Sequence, residues 1–121
     1  MKKTTLLICL IALFTSVQSF SQITSYPYSE DFESGDGGWT ASGTGTWALG
    51  TPAATVINSA ASGANSWATN LTGSYNNNED SFVTSPIFDL STLTSPSIEM
   101  SVWWESEFSW DGTVLQSSID G

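Results

Sequence analysis

The stretch Ser97-Ile98-Glu99-Met100-Ser101-Val102-Trp103-Trp104-Glu105-Ser106-Glu107-Phe108 decides the fold. Ile98, Met100, Val102, Trp104 and Phe108 share one parity, while Glu99, Ser101, Trp103, Glu105 and Glu107 share the other. A strand sends successive side chains to opposite faces, so the period-2 pattern predicts one apolar face and one acid-bearing face. A helix would scatter both sets around its circumference. Asp111-Gly112 then predicts a tight hairpin turn, and Val114 to Ile119 the return strand of an antiparallel sheet.

Working outward, the N-terminus has a different character. Lys2 and Lys3 precede an apolar run from Leu6 to Phe14, and Ser19-Phe20-Ser21 places small residues at a cleavage site. This is the pattern of a secretory signal peptide over residues 1–21, cut before Gln22, with residues 22–121 as the mature domain. The apolar run is shorter than the roughly 20 residues a bilayer span takes, so no membrane insertion is expected after cleavage. Cys9 sits inside this run with Ile8 before it, which does not suit a lipoprotein site. Export predicts a secreted or cell-surface location.

Cleavage changes the electrostatics. The chain has 12 acids and two lysines for a formal charge of −10, and removing Lys2 and Lys3 leaves −12 on the side chains. Beyond Ser21 there is no Lys, Arg, His or Cys. Side-chain salt bridges, His-based catalysis and disulfides are therefore excluded from the mature domain. Nucleic acid and anionic membranes are expected to be repelled. Acids gathered by the fold must stay hydrated, take a proton or bind a cation, and outside the cell the hard, oxygen-seeking ion is calcium.

The remainder reads as short strands between polar turns. Ile23 to Glu33 reads as an edge strand, since Pro27 lacks an N–H to donate. Trp39 opens a strand after Ser34 to Gly38; Trp47-Ala48-Leu49 is another, closed by Gly50-Thr51-Pro52. Asn58 to Ser66 is a small, polar loop. Trp67, Thr69 and Leu71 mark a strand ending at Gly73, Asn76 to Asn78 a loop, and Ser81 to Ser85 a strand stopped by Pro86. Many short strands with polar turns predict an all-β antiparallel β-sandwich. The Asp120-Gly121 turn opener predicts a fragment of a longer protein, incomplete at its C-terminus.

Taken together, Asp31-Phe32-Glu33, Gly35, Gly38-Trp39, Trp47 with Gly50-Thr51-Pro52, Ser85-Pro86-Ile87-Phe88-Asp89-Leu90-Ser91, Trp104 and Asp111-Gly112 resemble a MAM-type domain. The version it resembles occurs in exported proteins of Bacteroidetes-like bacteria, including surface adhesins and secreted peptidases. The resemblance runs from Tyr28 to the end of the chain and implies a concanavalin-A-like jelly roll. It implies adhesion, or carbohydrate or protein recognition, as an accessory module. Animal members carry disulfides that this chain lacks, which sets aside their mode of dimerisation.

The resemblance also implies a metal site. In related calcium-stabilised jelly rolls a Phe-Glu near the first strand supplies a metal oxygen, which points to Glu33, then Asp31, with Glu30 and Asp36 as contributors. The competing reading is a hydrated acidic strand end. Glu105 and Glu107, at i and i+2 on one strand face, are the pair a retaining glycosidase would use as nucleophile and acid. Laminarinase-like jelly rolls carry acids at alternate positions, but the further acid of that array is not matched at Ser109 or Trp110. An acidic outer face of an antiparallel sheet accounts for the same residues. Trp103 projects with the glutamates, so Trp103 and Glu105 form a candidate sugar-stacking or protein-contact surface, unless a second sheet covers the indole. Trp39, Trp47 and Trp67 read as core. Asn70-Leu71-Thr72 matches a glycosylation acceptor that carries no weight in a bacterial setting.

Overall fold

The computed structural model describes residues 22–119, so the signal-peptide reading of residues 1–21 and the Asp120-Gly121 turn lie outside the described residues. The described residues hold four strands and no helix: β1 (Thr40–Gly43), β2 (Trp47–Gly50), β3 (Ser66–Thr69) and β4 (Ser81–Thr84). The described residues are all-β, as their pattern of short strands and Gly/Pro punctuation predicts. No helix of the described residues is long and apolar enough to cross a membrane.

The pairing is nested. β1 runs antiparallel to β4, with Thr40 opposite Thr84 and Gly43 opposite Ser81. β2 runs antiparallel to β3, with Trp47 opposite Thr69 and Gly50 opposite Ser66. Between the two ladders the pairing continues through single bonds, Thr44 N to Asp80 O at 2.9 Å and Asn70 N to Thr46 O at 3.0 Å. The two small sheets are thus consecutive lengths of one interrupted ribbon. On one side Thr44 leads straight to Thr46; on the other the chain makes an excursion from Asn70 to Asp80.

Gly43 is where the ribbon is tightest. Its φ is +90°, a region L-residues avoid, and a Cβ there would run into the Asp80 carbonyl and the Ser81 backbone. The N-terminal segment joins the ribbon through one parallel bridge, with Ile23 N donating to Ile87 O at 2.8 Å and Asp89 N to Ile23 O at 2.9 Å. The Tyr26 hydroxyl closes this corner by donating to the Ile23 and Asp89 carbonyls.

Apolar packing is thin. No aliphatic or aromatic side chain among the described residues is buried, and Pro52 and Pro86 are the buried side chains. Trp39, Trp47 and Trp67, expected in the core, are half-buried. Phe32 stands edge-on to Trp39 at 5.8 Å, and Tyr28 edge-on to Phe88 at 5.3 Å. Gly38 lies against the Pro86 ring, so two of the motifs that carry the family resemblance meet here.

Carboxylates take over much of the joining that apolar contacts leave undone. With no basic side chain beyond Lys3, they satisfy themselves on backbone N–H groups. Glu30 accepts from Phe32 N at 2.8 Å, Asp31 from Glu33 N at 3.0 Å, Asp36 from Gly38 N at 2.9 Å, and Asp89 from Ser91 N at 3.0 Å. Two more reach across the chain. Glu33 Oε1 accepts from Ala64 N at 2.9 Å and Asn65 N at 2.7 Å, pinning the 58–66 loop. Glu79 accepts from Asn76 N at 2.8 Å and from Thr46 through both its N–H (3.1 Å) and hydroxyl (2.7 Å), pinning the 70–80 excursion to the ribbon.

Two expectations are corrected. Ile23 to Glu33 is not an edge strand; beyond the Ile23 bridge it follows turns, with Phe32 at φ +62°. The segment from Ser97 to Phe108 carries no ladder, and neither does Val114 to Ile119. The turn falls at residues 108–110 rather than at Asp111-Gly112: Trp110 N and Asp111 N both donate to Glu107 O, and Ser109 takes φ +69°. Ile98, Val102 and Trp104, expected in the core, stand in water; Glu99 and Glu105 are exposed with them. Alternation fixes which side chains share a face, but a strand needs a neighbour to bond, and none of the described residues supplies one.

Candidate functional site

A groove of about 470 Å³ opens where the C-terminal segment crosses the body. Its walls come from residues 54–57, the end of β3, the 73–77 stretch of the excursion, and Glu105, Ser106, Glu107 and Asp111. Tyr75 forms the joint. Its hydroxyl donates to Asp111 Oδ2 at 2.8 Å and accepts from Glu107 N at 3.1 Å. Ser106 Oγ donates to the Asp111 carbonyl at 3.2 Å, which closes the 106–111 turn.

The electrostatics of the joint follow from these bonds. The Glu107 amide that donates to the Tyr75 oxygen pulls the phenol's pKa down. The hydrogen bond to Asp111, desolvation, and the charges of Asp111 and Glu107 outweigh it, so the phenol is held above its usual value. Tyr75 therefore stays protonated at neutral pH and serves as a hydrogen-bond donor to Asp111. Among the described residues the groove's lining offers carboxylate acceptors, one phenol and no cation, which suits hydroxyl-rich or cationic groups.

Trp103, Glu105 and Glu107, singled out in the sequence, lie on this C-terminal segment, and the two glutamates line the groove. Trp103 is 50% exposed, so its indole is not covered by a second sheet. Trp104 is exposed as well, which gives the segment two adjacent open indoles. Tyr75 was not legible in the sequence, because its role depends on a contact across more than thirty residues and no local pattern marks it.

The proposed metal residues sit elsewhere. Phe32 turns toward Trp39 while Asp31 and Glu33 are both exposed, on a backbone that is a turn and not a strand. Glu33 engages the Ala64 and Asn65 amides, and Asp31 holds the amide of Glu33. Among the described residues no group of three or more His, Cys, Asp or Glu side chains is placed to hold a metal ion. Glu33 acts on the loop whether or not a cation joins it. Replacing it with alanine is expected to speed hydrogen exchange at the Ala64 and Asn65 amides by about tenfold or more while leaving Thr46 and Asn76 unchanged. Unchanged exchange at Ala64 and Asn65 would show that the loop is held by something else.

No family model matches the chain, and no solved structure matches it. Bacillopeptidase F of Bacillus subtilis (strain 168) is 38% identical over 85 residues, which is 69% of this chain and 6% of that protein. The chain therefore corresponds to a small part of a much longer relative.

Proposed function

We propose that the chain is an exported, acidic binding module of MAM-type jelly-roll architecture, accessory to a larger protein, that recognises a glycan or protein surface. The observation that carries this reading is the pair of open indoles, Trp103 and Trp104, on the same segment as the groove-lining Glu105 and Glu107. Exposed aromatic faces with neighbouring hydrogen-bond acceptors suit both sugar stacking and protein contact. Calcium belongs to the proposal through Glu33 and Asp31. With no third acid beside them, the ion would draw its other ligands from backbone oxygens and water.

The similarity to a peptidase favours a second reading, the non-catalytic region of a secreted peptidase. A chain without a single histidine has no His-based triad of its own, which fits an accessory part. A glycoside hydrolase using Glu105 and Glu107 is the remaining enzymatic alternative.

A glycan array probed with the chain, with and without calcium, tests the binding reading. Binding that falls about tenfold or more in Trp103→Ala supports it. Absence of binding under both conditions counts against glycan recognition. Sugar release that vanishes in Glu105→Gln or Glu107→Gln would move the assignment to a hydrolase.

A further inference from the structure

We propose that Ile98 to Glu105 is an acceptor edge for an extended strand of another polypeptide, one whose side chains alternate between apolar and basic. The proposal rests on the binding reading above and names the class of partner.

Four observations lead here. Among the described residues no hydrogen bond reaches the backbone of Ile98 to Glu105, so its N–H and C=O groups are open to a partner strand. The even-numbered side chains form an apolar row in water: Ile98 is 75% exposed, Trp104 71% and Phe108 93%. The odd-numbered side chains present Glu99, Glu105 and Glu107, with Trp103 among them. Just past its C-terminal end this edge is anchored to the body through Glu107 N on Tyr75 and Tyr75 on Asp111. Strand addition of this kind draws affinity from main-chain bonds and specificity from alternate side chains.

Charge favours a basic occupant over a second copy in the registers centred on Val102 and Trp103 and in the parallel in-register pair. In an antiparallel pair of two copies centred on Trp103, Glu99 faces Glu107; centred on Val102, it faces Glu105. A parallel in-register pair sets every glutamate on its own copy. Like charges directly opposite are destabilising, and beyond Lys3 the chain has no basic residue to offset them. A strand with Lys or Arg at alternate positions faces the glutamates and can lay a cation on Trp103, while its apolar face covers Ile98, Met100, Val102 and Trp104.

The test titrates the chain with a peptide of alternating lysine and valine, a glutamate–valine counterpart and a scrambled lysine–valine peptide, read by tryptophan emission. The lysine–valine peptide is expected to bind with a blue shift. Its affinity should fall about tenfold or more in the triple variant Glu99→Gln/Glu105→Gln/Glu107→Gln, together with its salt dependence. Val102→Pro, which removes one N–H from a segment without a ladder of its own, should abolish binding while the Thr46 and Asn76 amides stay protected. Equal binding of the three peptides, undiminished binding by Val102→Pro, no binding, or self-association in place of peptide binding each overturns the proposal. Glycan binding without peptide binding overturns this inference alone and leaves the module reading standing.

Discussion

Gly43→Ala is expected to destabilise the fold by about 3 kcal/mol. Two costs combine. A residue with a Cβ is strained at φ +90°, and that Cβ would meet the Asp80 carbonyl oxygen and the Ser81 Cα, which are backbone atoms and cannot swing aside. Gly43 pairs with Ser81 at the last rung of the β1–β4 ladder, next to the Thr44 N to Asp80 O bond that carries the ribbon toward β2. Relief of the clash therefore requires the two strands to separate where the interrupted ribbon is joined. Gly112→Ala is the control. Gly112 has open space around it and no positive φ, so its effect should stay within about 0.5 kcal/mol. Urea unfolding of both variants separates the outcomes, and equal midpoints for the two would mean that the ribbon is not packed as described.

Glu79→Ala comes next, with an expected loss of about 2 kcal/mol. The side chain is half-buried and accepts three bonds, and hydrogen bonds to a charged group are stronger than neutral ones. The Asn76 amide, then burial working the other way, then the Thr46 hydroxyl and amide set its pKa, and the net result is below the usual carboxylate value. The sign follows directly. A group whose pKa is lower folded than unfolded contributes its stability above the unfolded value, and the contribution is lost as pH falls through the folded one. Asp89, held down by the Ser91 hydroxyl and amide, acts in the same direction. The parent should therefore lose stability as pH drops below about 4.5, the unfolded glutamate value. Glu79→Ala should flatten that dependence. An acid profile identical in parent and variant would remove Glu79 from the account.

The four strands were legible because tryptophans and Gly/Pro punctuation mark them: Trp39 before β1, Trp47 opening β2, Trp67 within β3 and Pro86 just beyond β4. The C-terminal hairpin was not delivered by the same logic. The 97–108 pattern is that of a strand, yet its expected mate at 114–119 does not pair with it, and the turn moved onto Ser109. The roles of Glu33, Tyr75 and Glu79 lay beyond sequence reading for a common reason. Each depends on a partner more than thirty residues away or on a backbone amide, and neither leaves a residue-type signature. A chain without basic residues does imply that its acids seek other donors; the sequence does not say which amides they find.

Amide hydrogen exchange along the whole chain tests most directly whether a carboxylate-pinned body carries an open strand edge. The expected result is slow exchange at Thr46, Ala64, Asn65 and Asn76 and near-unprotected exchange from Ile98 to Glu105, which becomes slow at alternate amides when the lysine–valine peptide is added. Alternating protection across residues 98–108 and 114–119 in the chain alone would show a closed hairpin and contradict it.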